Sequence, residues 1–316
     1  MGLLIDGQWH HEVPIAQTDE QGRFIRPQSA FRNWVSSKPN APFPAQANRY
    51  HLYISYACPW AHGALIMRQL KGLDQAITMS TVHPLMLDNG WEFGDDADTQ
   101  DPCENKRYLR ELYQQADPQY TGKVTVPVLW DKQQQTIVNN ESMDVIHMFN
   151  QAFQPWAQND YDAYPAEYQT AIDEMNDWIY QHINNGVYRC GFAQSQAAYD
   201  QAFDELFQAL EQVENCLQKN TYLVSGQPTL VDWRLFATLI RFDVVYYSHF
   251  KCNYRRIKDY PLLRDYLKRL YYYPNVANTV QFDAIKTHYF ASHKKLNPSG
   301  IIPKGPDLDR LFEDPI

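Results

Sequence analysis

The chain has 316 residues with a formal net charge of −9, 44% of them apolar and 14% aromatic. That length exceeds most single domains, so two domains sharing a sizeable core are expected, with no need of disulfide staples. The negative balance works against nucleic acid as a partner, and short basic clusters such as "HKKLNP" (293–298) do not overcome it. The five cysteines, Cys58, Cys103, Cys190, Cys216 and Cys252, are odd in number, widely spaced and without a CxxC pair. This pattern suits free thiols in a reducing compartment. "MGLLIDGQWHHEV" turns polar too early for a secretory apolar segment, Asp6 stands where a myristoylation motif has Ser or Thr, and no later run approaches a membrane span. A soluble cytoplasmic protein that uses no membrane is therefore expected. Tyr 22, Trp 8 and Phe 15 serve mostly as core, with a minority available to line a site for a flat aromatic ligand.

Residues 1–50 are polar and proline-bearing, show no sustained period, and read as an extended segment packing on the core. "RYHLYIS" (49–55) alternates as a strand, and Pro59 directly after Cys58 suits the first position of a helix. Trp60, Ala64, Met67 and Leu70 give that helix one apolar stripe, and Gly72 stops it. A second strand fits "AITMSTV" (76–82), followed by a long Gly-, Asp- and Asn-rich loop and a helix from about Tyr108 to Ala116. "VTVPVLWD" (124–131) and "QTIVNN" (135–140) form a hairpin, and "ESMDVIHMFNQAF" (141–153) continues as a helix.

Beyond residue 155 helical patterns take over, with one helix marked by Tyr168, Ile172, Met175 and Ile179 and another by Phe203 through Leu217. Thr229 and Asp232 form a capping arrangement before a further apolar helix. His249 and Cys252 in "HFKC" have no second pair at zinc spacing, so a packed helix end is expected there rather than a metal site.

Cys58 stands where a strand gives way to a helix. Exposed backbone N–H groups and the positive end of the helix dipole favour thiolate there, bringing a cysteine from about 8.5 into a range of roughly 3.5 to 7.5. Position alone leaves nucleophile and inert buried thiol evenly matched. Pro127 shifts the balance: proline within a central strand pattern removes a ladder donor and belongs at an edge, a bulge or a cis bond. A cis Val126–Pro127 bond would end its strand beside the cysteine.

Strand, Cys-Pro-helix, strand, helix, then a cis-proline strand and a closing hairpin describe a thioredoxin-like domain; with an all-α second half the order resembles a glutathione transferase. "FRNW" (31–34), "ACPWAH" (57–62), "NGWEF" (89–93), "VTVPVLWD" (124–131), "NNES" (139–142), "NNGVYRCGFA" (184–193), "RFDVVYYSHFKC" (241–252) and "HYFASHKKLNPSGIIPKGP" (288–306) sharpen this. Together they resemble the glutathionyl-hydroquinone reductases, the Xi-class, omega-like glutathione transferases. The resemblance implies an α/β thioredoxin-like glutathione-binding domain over 51–155, and an all-helical domain with an aromatic pocket and a C-terminal tail over 156–316.

It further implies glutathione as co-substrate, a glutathionyl-hydroquinone as substrate, no metal, and a homodimer. Cys58 becomes the nucleophile, forming a mixed disulfide that a second glutathione resolves. Ala61 stands where a dithiol enzyme has its resolving cysteine, so the site is monothiol. Trp91, Lys123, Val124, Thr125, Val126, Glu141 and Ser142 are assigned to glutathione, with Val126 pairing through its backbone in the manner of an added strand and Pro127 as the structural cis-proline. Tyr188 is assigned as proton donor and acceptor, with Tyr246 and Tyr289 near the thiolate. Relatives often carry arginine at the positions of Lys123 and Gly63, and His62 at its helix position is expected to point away from the chemistry. Two other readings share this scaffold: a conjugating transferase, which the cysteine disfavours, and a non-catalytic binder of aromatic ligands.

Overall fold

The computed structural model of the chain describes residues 2–11, 13, 16–38, 40–96, 99–308 and 310–312. The last four residues of the expected C-terminal tail lie outside the described residues. The chain divides into two compact units, one built from Met1–Ile15, Gln28–Asp162 and Thr279–His288, the other from Ala16–Pro27, Ala163–Asn278 and Tyr289–Ile316.

Two short hairpins occupy the segment that the sequence reads as extended. β1 (Leu3–Ile5) pairs with β2 (Gln8–His10) through Asp6 and Gly7, at φ +48° and +74°. An Asp-Gly pair with both φ values positive is the favoured two-residue hairpin turn. Leu4 is fully buried and exchanges backbone hydrogen bonds with Gly122, which fixes this hairpin to the first unit. In the second unit β3 (Gln17–Thr18) pairs with β4 (Phe24–Ile25). Strands of two or three residues are too short to display a period, so the extended reading missed both.

The first unit is thioredoxin-like. β5 (Tyr50–Ile54) leads into α1 (Pro59–Leu70), β6 (Ile77–Thr81), α2 (Leu109–Ala116), the hairpin β7 (Val128–Asp131) and β8 (Thr136–Asn139), then α3 (Ser142–Gln151). The sheet order is β6-β5-β7-β8, with β6 parallel to β5 and β7 antiparallel to both β5 and β8. All of β5 is buried, as expected of a strand covered on both faces.

α1 differs from its expected single stripe, since Ala61, His62, Gly63, Leu65, Ile66 and Arg68 are buried as well. A helix covered nearly all round cannot show a one-sided pattern. Its one buried arginine is satisfied: Arg68 Nε donates to the Ile77 carbonyl at 2.7 Å and Nη1 pairs with Asp74 at 2.6 Å. The expected strand 124–131 is also shorter, beginning only at Val128, because Pro127 has no N–H to give a ladder.

The second unit is helical. It contains α4 (Gln169–Ile179), α5 (Gly186–Gly191), α6 (Gln196–Cys216), α7 (Leu230–Arg241), α8 (Tyr247–His249) and α9 (Pro261–Tyr271), while α10 (Phe282–Lys286) belongs to the first unit. The cap read from the sequence is present, with Thr229 N–H donating to Asp232 Oδ2 at 2.7 Å. Among the described residues three π-helical turns, Tyr180–Asn184, Phe242–Tyr246 and Thr287–Ser292, interrupt the α-helical pattern. The sequence carried no signal for them.

Candidate active site

Cys58 is the N-cap of α1, with extended backbone angles (φ −79°, ψ 118°) and Pro59 next to it. Proline suits that first position because its missing N–H would have had no helical partner. No acidic side chain stands in the first turn, so nothing there offsets the positive helix end. The thiol is half-buried and donates to the Val126 carbonyl at 3.6 Å.

Val126 precedes a cis peptide bond to Pro127. Residues 124–127 lie outside the ladder, and among the described residues the Val126 N–H has no hydrogen-bond partner. Tyrosines that sequence reasoning did not single out hold this strip instead. Tyr120 Oη donates to the Lys123 carbonyl at 3.0 Å, and Tyr113 Oη donates to the Thr125 carbonyl at 2.8 Å while accepting the Thr125 N–H at 3.2 Å. Helical spacing marks Tyr113 only as a core position, and its hydroxyl contacts are non-local.

Glu141 is the N-cap of α3 and Ser142 its first residue. Ser29 Oγ donates to Glu141 Oε2 at 2.8 Å, and the Glu141 N–H donates to Asn139 Oδ1 at 2.7 Å. The "FRNW" stretch explains itself here: Asn33 N–H donates to the Val138 carbonyl, Asn140 N–H to the Phe31 carbonyl, and Phe31 N–H to Asn140 Oδ1. It lies along the outer side of β8. Arg32 clamps Asp144 with both Nε and Nη2, at 2.5 and 3.0 Å, so the first turn of α3 is tied down.

Trp91 is buried in the long loop after β6 and stacks on His288, with ring centroids 4.8 Å apart and planes inclined by 19°. Asp101 orders that loop by accepting the N–H groups of Cys103, Glu104 and Lys106 and the Tyr53 hydroxyl.

Tyr188, Tyr246 and Tyr289 belong to the second unit and form one cluster. Tyr289 Oη lies 2.7 Å from Tyr188 Oη and 3.0 Å from Tyr246 Oη. Each stands at a π-helical feature: Tyr246 ends one turn, Tyr289 lies within another, and Tyr188 follows a third by four residues. Such turns recur at functional sites because they re-aim side chains. Burial pushes the Tyr246 and Tyr289 phenols well above their ordinary value, so both keep their protons. The Arg26 guanidinium lies over the Tyr188 ring at 4.7 Å, and its Nε donates to Asn185 Oδ1 at 3.0 Å. A cavity of about 500 Å³ between α4 and α6 is lined by Met175, Trp178, Val213 and Leu223 among others, and by none of these tyrosines.

Other candidates are structural. His62 is buried, with Nε2 at 2.8 Å from Thr279 Oγ1. His249 Nε2 meets His293 Nδ1 at 3.1 Å rather than Cys252, and among the described residues no group of three or more His, Cys, Asp or Glu could hold a metal ion. Likewise no helix of the described residues is long and apolar enough to cross a membrane.

Comparison with known families matches residues 57–152 to "Glutathione S-transferase, N-terminal domain" and 196–269 to "Glutathione S-transferase, C-terminal domain". Fold and matches together define a glutathione transferase. The chain is 51% identical to the glutathionyl-hydroquinone reductase YqjG of Escherichia coli (strain K12), covering 98% of this chain and 97% of that one. It is 46% identical to the glutathionyl-hydroquinone reductase PcpF of Sphingobium chlorophenolicum, over 97% and 96%. The glutathione-bound structure of YqjG superposes with a TM-score of 0.89 at 48% identity, covering 99% of this chain and 98% of that one. A Xi-class transferase from Natrialba magadii gives 0.92 at 44%, over 100% and 96%. The chain belongs to the glutathionyl-hydroquinone reductase family, the Xi class of glutathione transferases.

Proposed function

We propose that this protein reduces glutathionyl-hydroquinones to hydroquinones at the expense of glutathione, with Cys58 as nucleophile. The observation that carries the reading is a thiol at a helix N-cap, 3.6 Å from the carbonyl of a residue in cis linkage to proline. The Cys58 thiolate attacks the glutathionyl sulfur, and the carbon–sulfur bond breaks as the ring carbon takes a proton. Hydroquinone leaves, and Cys58 holds glutathione in a mixed disulfide. A second glutathione thiolate attacks that disulfide, glutathione disulfide departs, and the Cys58 thiolate returns. One substrate and one glutathione thus give one hydroquinone and one disulfide.

Glutathione takes the Val126 N–H, with Val124 and Thr125 flanking, as an added strand would. Glu141 and Ser142 receive the γ-glutamyl end, where a carboxylate meets the ammonium and the α3 N-terminus the carboxyl. Lys123 supplies charge and Trp91 a wall. As a point charge, Lys123 forgoes the two-pronged contact an arginine would make. Tyr188, Tyr246 and Tyr289 move the ring proton, phenols being matched to a phenolic substrate. The first unit, with Gln28–Asp162, is the glutathione-binding domain, and the second, with Ala163–Asn278, is the helical domain of a homodimer, in place of the sequence bounds 51–155 and 156–316. Five free cysteines fit a reducing cytoplasm.

Mass spectrometry after treatment with oxidised glutathione tests the reading. One glutathionyl adduct, mapped to Cys58, is expected; an unmodified Cys58 with adducts elsewhere contradicts it.

A further inference from the structure

We infer that Tyr113 is a positioning residue for glutathione, holding Thr125 of the backbone strip before Pro127 in place of a neighbouring strand. This deepens the function proposed above and rests on it. The segment just before Pro127 is peculiar in the sheet: it leaves the ladder, yet its backbone must keep a fixed aim if a peptide is to pair with Val126. Buried N–H and C=O groups left unpaired are destabilising, so something must replace the missing strand.

One phenol does so. Tyr113 on α2 is fully buried, and its hydroxyl both donates to the Thr125 carbonyl (2.8 Å) and accepts the Thr125 N–H (3.2 Å). Thr125 is thereby fully paired, and the chain bends at the next residue, Val126. Among the described residues the Val126 N–H has no partner, and its carbonyl is met by Cys58 Sγ at 3.6 Å.

The same oxygen also accepts Asn140 Nδ2 at 3.1 Å, and Asn140 directly precedes Glu141 and Ser142. A single hydroxyl therefore joins the two stretches assigned to glutathione. Burial raises the Tyr113 phenol above its ordinary value, which keeps the donated proton in place at neutral pH. Phe31 at 5.6 Å and Tyr120 at 5.1 Å between ring centroids hold the ring itself, so removing the oxygen leaves the ring packed.

The test compares wild type, Tyr113→Phe and Asn140→Ala, using equilibrium binding of glutathione and steady-state reduction of glutathionyl-menadiol. Both variants are expected to weaken glutathione binding and raise its KM by about tenfold, with kcat and the alkylation rate of Cys58 within about twofold of wild type. Tyr113→Phe that is less stable yet binds glutathione as wild type does would overturn the inference and reduce Tyr113 to a core residue. So would a loss of kcat with unchanged KM. Should Tyr113→Phe not fold, unaltered binding by Asn140→Ala overturns it equally. Wild type that fails to bind glutathione at all would instead sink the proposed function, an outcome separable from the others.

Discussion

Tyr188 Oη and Tyr289 Oη stand 2.7 Å apart in a buried aromatic cluster, and Tyr246 Oη meets the same Tyr289 oxygen at 3.0 Å. Phenols linked in this way can hand a proton on, which is what a ring carbon losing sulfur requires. Tyr188→Phe is expected to lower kcat by about 10²-fold, the low end of general acid catalysis, while adduct formation at Cys58 with oxidised glutathione stays within about twofold. Single-turnover kinetics separates the two. Equal loss of both would make Tyr188 a structural prop.

Acid sensitivity follows from buried titratable groups. Burial lowers His51 to about 3 and His249 to about 4, against an ordinary 6.5. The unfolded chain therefore binds more protons below pH 6.5, and stability falls as pH falls from there. Asp243 acts in the opposite sense: burial raises it to about 6 from 3.8, so its contribution is present below 3.8 and is lost as pH rises through 6. Asp232, also raised by burial, acts in the same sense as Asp243, so two carboxyls oppose the two histidines. Asp243→Asn removes one opposing group, so its acid loss between pH 4 and 6 is expected to be steeper than that of wild type by roughly 1.4 kcal/mol per pH unit. Urea midpoints taken along a pH series check this, and parallel profiles for the two proteins would contradict it.

Arg49 and Asp131 form an ion pair buried at 7% and 0% side-chain exposure, with Nη2 2.5 Å and Nε 2.9 Å from Oδ2. It fastens the start of β5 to the end of β7. Asp131→Ala leaves a buried guanidinium unpaired, and a loss of about 3–5 kcal/mol is expected in denaturant titrations. The double variant Arg49→Met/Asp131→Leu should recover most of it. Additive losses would show that the pair is not the reason.

Gly63 lets α1 and α3 approach closely. A Cβ placed there would stand 2.6 Å from Ile146 Cδ1. Gly63→Ala gains about 1 kcal/mol of helix propensity and loses about 1–3 kcal/mol by overpacking, so it is expected to be slightly destabilising. Ile146→Val deletes the offending methyl group. In its presence Gly63→Ala should turn stabilising, as a thermal-shift cycle of the four proteins would reveal. An unchanged effect in both backgrounds would mean that Ile146 gives way freely.

What the sequence disclosed was local or repeated. Cys58 before Pro59, the stop at Gly72 and the Thr229–Asp232 cap each depend on residues a few positions apart, and all are in the structure. The sheet strands were legible by alternation, except where Pro127 ends the ladder early. Contacts between distant stretches were not legible, such as Phe31 with Asn140 or Tyr113 with Thr125, because nothing in a helical or extended pattern says what a hydroxyl will meet. The three π-helical turns escaped because their extra residue leaves the apolar pattern helical on both sides. The first hairpin was legible in principle from Asp6–Gly7, but strands of three residues hid it.

The most direct measurement is turnover of glutathionyl-menadiol with glutathione by wild type, Cys58→Ser and Cys58→Ala, each confirmed folded by circular dichroism. The account predicts hydroquinone and glutathione disulfide released in equal amounts by wild type, and a loss of at least about 10³-fold in both variants. Undiminished turnover in either variant would contradict it.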